Sequence, residues 1–163
     1  MLNSSTQELY YICKQFLHAS GDDRLSQLQK LGLGRYTVLT QMHLNEANII
    51  CVMRFFQNPH RVKFPQLQGA DLSGLALDGV NLIRGDLSGA NLESSSLVDA
   101  DLIFANFSSA NLRNTNLIGA TLNETIWKNA VVERCNFGNG IGLTPDQQQD
   151  LSQRGGQFNF EKI

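Results

Sequence analysis

Aspartate and asparagine recur in the middle of this sequence at spacings that are multiples of five: Asp71, Asn81, Asp86, Asn91, Asp101, Asn106, Asn111, Asn116 and Asn136. Carboxylates in such a series could pair for general acid–base work or hold a divalent cation. The same short side chains also bond neighbouring backbone groups at turns. A strictly periodic series points to that structural use, so no catalytic or metal-ligating role is assigned to them. His18, His43 and His60 lie far apart, with no ligand spacing around them. No Ser–His–Asp or Cys–His arrangement and no cofactor fingerprint can be drawn. Gly138, Gly140 and Gly142 form a glycine-rich stretch without the Gly-Lys-Ser/Thr of a phosphate loop. Of the three cysteines, Cys135 reads as packing. Cys13 and Cys51 fall on two expected helices, as buried thiols or, alternatively, a bridge. The expectation is a protein that is not an enzyme, with no catalytic, cofactor-binding or metal residues.

The elements that carry these residues follow one rule. From Val62 to Phe137 every fifth residue is large and apolar, sixteen in a row. The residue two before each such centre is usually small, as at Ala70, Ala90, Ala100, Ala110 and Ala120. Helices need apolar spacing near 3.6 residues and strands near 2. A period of five therefore means that the chain makes the same turn in every unit. One such unit cannot bury its leucine alone, but stacked coils can.

The segments Ala70-Asp71-Leu72-Ser73-Gly74, Ala90-Asn91-Leu92, Ala100-Asp101-Leu102 and Ala110-Asn111-Leu112 resemble the motif of the pentapeptide-repeat family, Ala-(Asp/Asn)-Leu-X-X. The whole pattern, with its Gly-Leu-Thr-Pro tail, looks like the members abundant in cyanobacteria. The resemblance implies a mainly β solenoid: a right-handed quadrilateral β-helix with four pentapeptides per coil, hence about four coils here. At the ~4.8 Å spacing of paired strands, that is a rod roughly 20 Å tall. Residue i then lies under i+20, which places Phe107 against Trp127. Leu75 and Val80 are large where the motif wants a small residue, implying a widened first coil. Ile126 and Val131 put apolar groups outward, implying a covered last coil.

Outer positions bear on function. Ile83, Val98, Ile103, Phe104 and Ile118 interrupt otherwise small or polar corners. Ile83 stacks with Ile103 and Val98 with Ile118 under the i+20 rule, an apolar strip flanked by Arg84 and Glu124. A contiguous apolar patch usually marks a contact surface. These seven residues are the candidates for binding a protein partner or a second copy of the chain. The competing expectation is that the N-terminal helices fold over the strip.

Three regions are expected: a helical module over 1–61, the repeat over 62–139, and a C-terminal cap over 140–163. In the module, Ser5–Glu8 reads as a capping box, with the helix running to Gly21. A second helix runs from Asp23 to Gly32, and a third opens at Asn45 and stops before Pro59. Arg35–Met42 is ambiguous. In the cap, Thr144-Pro145-Asp146-Gln147 starts a short helix that Gly155 and Gly156 stop. Leu143, Phe158 and Phe160 are expected to cover Phe137.

The chain has 163 residues, with 13 basic against 15 acidic side chains. That balance argues against a general nucleic-acid binder. No apolar run reaches the ~20 residues that span a bilayer. The start of the chain has no secretory pattern, so a cytoplasmic protein is expected. The favoured function is a non-catalytic interaction scaffold or regulatory adaptor, with no cofactor and no small-molecule substrate. The alternative suggested by the resemblance is a DNA-mimic inhibitor of a type II topoisomerase. A repeat with five basic and eight acidic residues is short and weakly charged for that role.

Overall fold

The computed structural model describes residues 3–159. Helix α1, Ser4–His18, is capped by Asn3, whose side chain accepts from the Thr6 N–H. The cap therefore falls two residues before the expected Ser5: both Ser5 Oγ and Thr6 Oγ1 also donate to Asn3 Oδ1. Gly21 does not close this helix. It is the first residue of α2, Gly21–Lys30, which Ser20 caps. The ambiguous stretch forms a 3-10 turn over Thr37–Thr40. Helix α3, Glu46–Gln57, starts at Asn45 as expected, and a second 3-10 turn covers Pro59–Arg61.

The module closes around two devices. Phe16 of α1 packs edge-on against Phe56 of α3 at 5.0 Å. The buried Arg24 guanidinium donates to the carbonyls of Leu17, Ala19, Leu39, Thr40 and Met42, tying α2 to both flanking loops. Cys13, Cys51 and Cys135 are free and buried.

Val62 does not open the first coil. It follows the second 3-10 turn, and its carbonyl is held by Arg35 and the Tyr36 hydroxyl. From Gln66 the chain pairs with itself at a fixed offset of twenty, in parallel bridges from Gln66↔Asp86 to Asn116↔Asn136. Each coil is thus four five-residue units, a β-helical solenoid. Every side contributes one bridging residue rather than an extended strand, because a two-residue turn takes up the rest of each unit. At these turns the second residue after the centre has positive φ, the signature of a type II turn. Glycine suits that position, yet Arg84, Phe104 and Glu124 are among nine other residues that adopt it.

The inner columns are as the spacing predicts. All the centres from Leu67 to Phe137 are buried, and the alanines two residues before them fill the corners. Phe107 stacks on Trp127 at 4.6 Å, and Trp127 meets Phe137 edge-on at 5.4 Å. Leu75 is buried and Val80 half-buried, so the first coil accepts both large groups. The last coil is not covered at Ile126, which is 50% exposed.

Both ends are closed by side chains as well as backbone. Helix α4, Pro145–Gln153, carries the expected Thr144/Gln147 capping box. The chain then returns, and Gln157 bridges Asn136 as a fragment of a further coil. Phe158 stacks on Phe137 at 4.8 Å, with Leu143 and Leu151 buried beside it. Phe160 lies outside the described residues. At the other end α3 lies across coil one. The Asn48 side chain accepts from the Asp71 N–H and donates to the Asp71 carbonyl. Cys51 Sγ and Arg54 donate to the carbonyls of Gln66 and Gln68. These are groups that a coil beneath would otherwise satisfy.

Candidate interaction surface

All nine Asp and Asn residues of the periodic series accept, through Oδ1, the backbone N–H two residues on. They build the corners. Asp71 also accepts from the Ser73 hydroxyl and the Asn45 amide. Burial pushes its carboxyl up, but the Ser73 bonds, the nearby His43 and Asn45 outweigh this and hold it below the usual carboxylate value. Among the described residues no three or more His, Cys, Asp or Glu side chains gather where they could hold a metal ion.

The rod's outer surface is set by the turns. Ile83 and Ile103 share one corner column, tied by the bond from Arg84 N–H to the Ile103 carbonyl. Val98 and Ile118 share the next, tied by Asp99 N–H to the Ile118 carbonyl. Between the two columns runs a polar one, Asn81, Asp101 and Thr121, stacked in register by parallel bridges. The apolar groups therefore form two columns rather than one unbroken strip, because each side of a coil places its Asx position between neighbouring corners. Ile83, Val98 and Ile103 are half-buried. Phe104 is 46% and Ile118 39% exposed. The N-terminal helices lie beneath coil one and leave both open.

Arg84 stands in a column with an aromatic ring on each side, 4.5 Å from the centre of Phe104 and 5.6 Å from Phe64. The column continues twenty residues on to the exposed Glu124. Phe64, 41% exposed, was not singled out from the sequence. Its position twenty before Arg84 was the available signal, hidden because the repeat proper starts after it.

Coils of four five-residue units in register define a β-helical repeat protein. The repeat is of the pentapeptide kind: the pentapeptide-repeats family profile matches in eight copies, over residues 66–97 and 86–123, and this block belongs to that family. The chain is similar to a solved pentapeptide repeat protein from the cyanobacterium Cyanothece 51142. Identity is 35% over 40% of this chain and 51% of that one, with a TM-score of 0.33. The match therefore spans about half of that protein's length. A pentapeptide repeat protein from Nostoc Pcc 7120 is 28% identical over 58% of this chain and 80% of its own, with a TM-score of 0.31. One from the Arabidopsis thaliana thylakoid lumen is 27% identical over 55% and 75%, with a TM-score of 0.32. No match was found among curated proteins. No helix among the described residues is long and apolar enough to cross a membrane.

Proposed function

We propose that this protein is a non-catalytic interaction scaffold, a cytoplasmic regulatory adaptor that presents the rod and its helical module to a protein partner. The observation that carries the reading is the placement of large apolar side chains on rigid outer corners. Phe104 is held at positive φ and 46% exposed, with Ile103 beside it. A turn that tolerates an aromatic residue in a glycine-favouring conformation, with its ring about half exposed beside Arg84, offers that ring to another surface. The Asp and Asn series supports the same reading, since its side chains are engaged in the turns.

The test is capture of partners from the native host on the immobilised full chain, wild type against Ile103→Ser/Phe104→Ser. The double variant should keep its circular dichroism spectrum and lose a partner that the wild type retains. A correctly folded variant that retains every partner would contradict the reading.

A further inference from the structure

The junction between the helical module and coil one holds an uncompensated cluster of positive charge. Phe64 sits at its centre. A 230 Å³ cleft on one side of this ring is lined by Arg35, Tyr36, Lys63 and Asn81. A 260 Å³ cleft on the other is lined by Arg54, Arg61 and Lys63. Arg84 lies over the ring itself. Among the described residues no carboxylate lines either cleft. Among the described residues the ion pairs are Arg113–Glu133 and Arg154–Asp150, so none of these five cations is paired with a carboxylate. Arg35, Arg61, Lys63 and Arg84 are exposed. In a chain with two more acidic than basic residues, this concentration is local and directional.

The same cleft contains an open backbone edge. In the second coil, Asp101 gives its N–H to Val80 and receives at its carbonyl from Leu82, so both groups point toward the coil below. Asn81 occupies the equivalent place in coil one. With α3 engaging Gln66, Gln68 and Asp71, the main-chain N–H and carbonyl of the exposed Asn81 have no partner among the described residues.

Resting on the scaffold reading above, we infer that this junction is the docking site for an extended, acidic segment of a partner protein. The segment runs beneath Asn81 as a fragment of the missing coil, pairing main chain to main chain. Its carboxylates meet Lys63, Arg35, Arg61 and Arg84, where arginine can bind them bidentately, and an apolar side chain rests on Phe64. A nucleic acid fits less well. It has no peptide group to pair with Asn81, and a long polyanion would run against a repeat whose acidic residues outnumber its basic ones, eight to five.

The experiment titrates the full chain with a fluorescein-labelled peptide alternating glutamate with valine and phenylalanine, at low salt, by anisotropy. Its glutamine counterpart and a single-stranded oligonucleotide serve as comparison probes. The acidic peptide should bind, its glutamine counterpart at least about tenfold more weakly. Lys63→Glu/Arg84→Glu should weaken binding by at least about tenfold, and the milder Arg61→Gln/Lys63→Gln by less. Lys128→Glu, elsewhere on the rod, should change nothing. Binding should also slow hydrogen exchange at the Asn81 amide, followed by NMR. Equal binding of the two peptides, insensitivity of folded variants to charge reversal, or preference for the oligonucleotide would each overturn the inference. Should the peptide fail while the wild type still retains a partner that Ile103→Ser/Phe104→Ser loses, this site falls and the scaffold reading stands.

Discussion

At residue 96 the repeat breaks its own rule: Ser96 stands where Asp or Asn should receive the turn N–H. Asp78 supplies the missing acceptor from the coil beneath, taking the Val98 N–H at 3.0 Å and the Ser96 hydroxyl. A turn can thus borrow its acceptor from a residue twenty positions away. The buried thiols show a second residue-scale effect. Burial pushes Cys13 and Cys51 up to about 12 from an ordinary 9.0, with Arg54 offsetting part of the shift at Cys51. Burial raises Cys135 as well. Because the folded state favours the neutral thiols, their contribution to stability is complete below pH 9 and is lost as the pH rises toward 12. At pH 8, only about one in ten thousand of the Cys13 and Cys51 thiols is ionised in the folded state. Iodoacetamide at pH 8 should therefore leave the native protein unmodified and add three groups once denaturant is present, as read by intact mass. Prompt alkylation of any of the three in the folded protein would show that its burial is wrong.

At the scale of elements, α3 acts as a substitute for a coil. The fully buried Asn48 amide mimics a peptide group toward Asp71, and it also donates to the His43 carbonyl. Asn48→Ala would leave the part-buried N–H and carbonyl of Asp71 without their partner, so it should cost about 1–3 kcal/mol by urea unfolding. A loss below about 0.5 kcal/mol would mean that the helix rests on the coil by apolar packing alone. Much of the element plan was legible in the sequence because its signals are local. Asn45, Pro59 and the Thr144–Gln147 capping box act within one helical turn. Local signals misled only where two neighbours compete, as Asn3 does with Ser5 and Ser20 with Gly21. Arg24, Asn48 and Arg54 could not be read. Their partners lie up to 23 residues away, and their value comes from burial that only the tertiary fold creates. The twenty-residue spacing predicts the stacking of Ile83 with Ile103 and of Val98 with Ile118, but the polar column that divides the strip follows from the placement of each Asx side chain at the middle of a side.

The molecule as a whole is a rod closed at both ends by different means. A returning segment and aromatic stack close one end, and a helix presenting polar side chains closes the other. Its surface chemistry then follows from position in the coil: corners carry the variable groups, and sides carry the Asx series. Both proposed surfaces depend on this register, since Phe64, Arg84 and Phe104 are neighbours only if the coil holds twenty residues. Pyrene labels on Ser88→Cys/Ser108→Cys test this directly, because the native thiols are buried. Residues twenty apart should sit on adjacent coils about 4.8 Å apart and give strong excimer emission. Ser88→Cys/Val98→Cys brings the labels ten positions closer in sequence but sets them on opposite corners, so it should show monomer emission alone. Excimer from the second pair and none from the first would contradict the coil, and with it both surfaces.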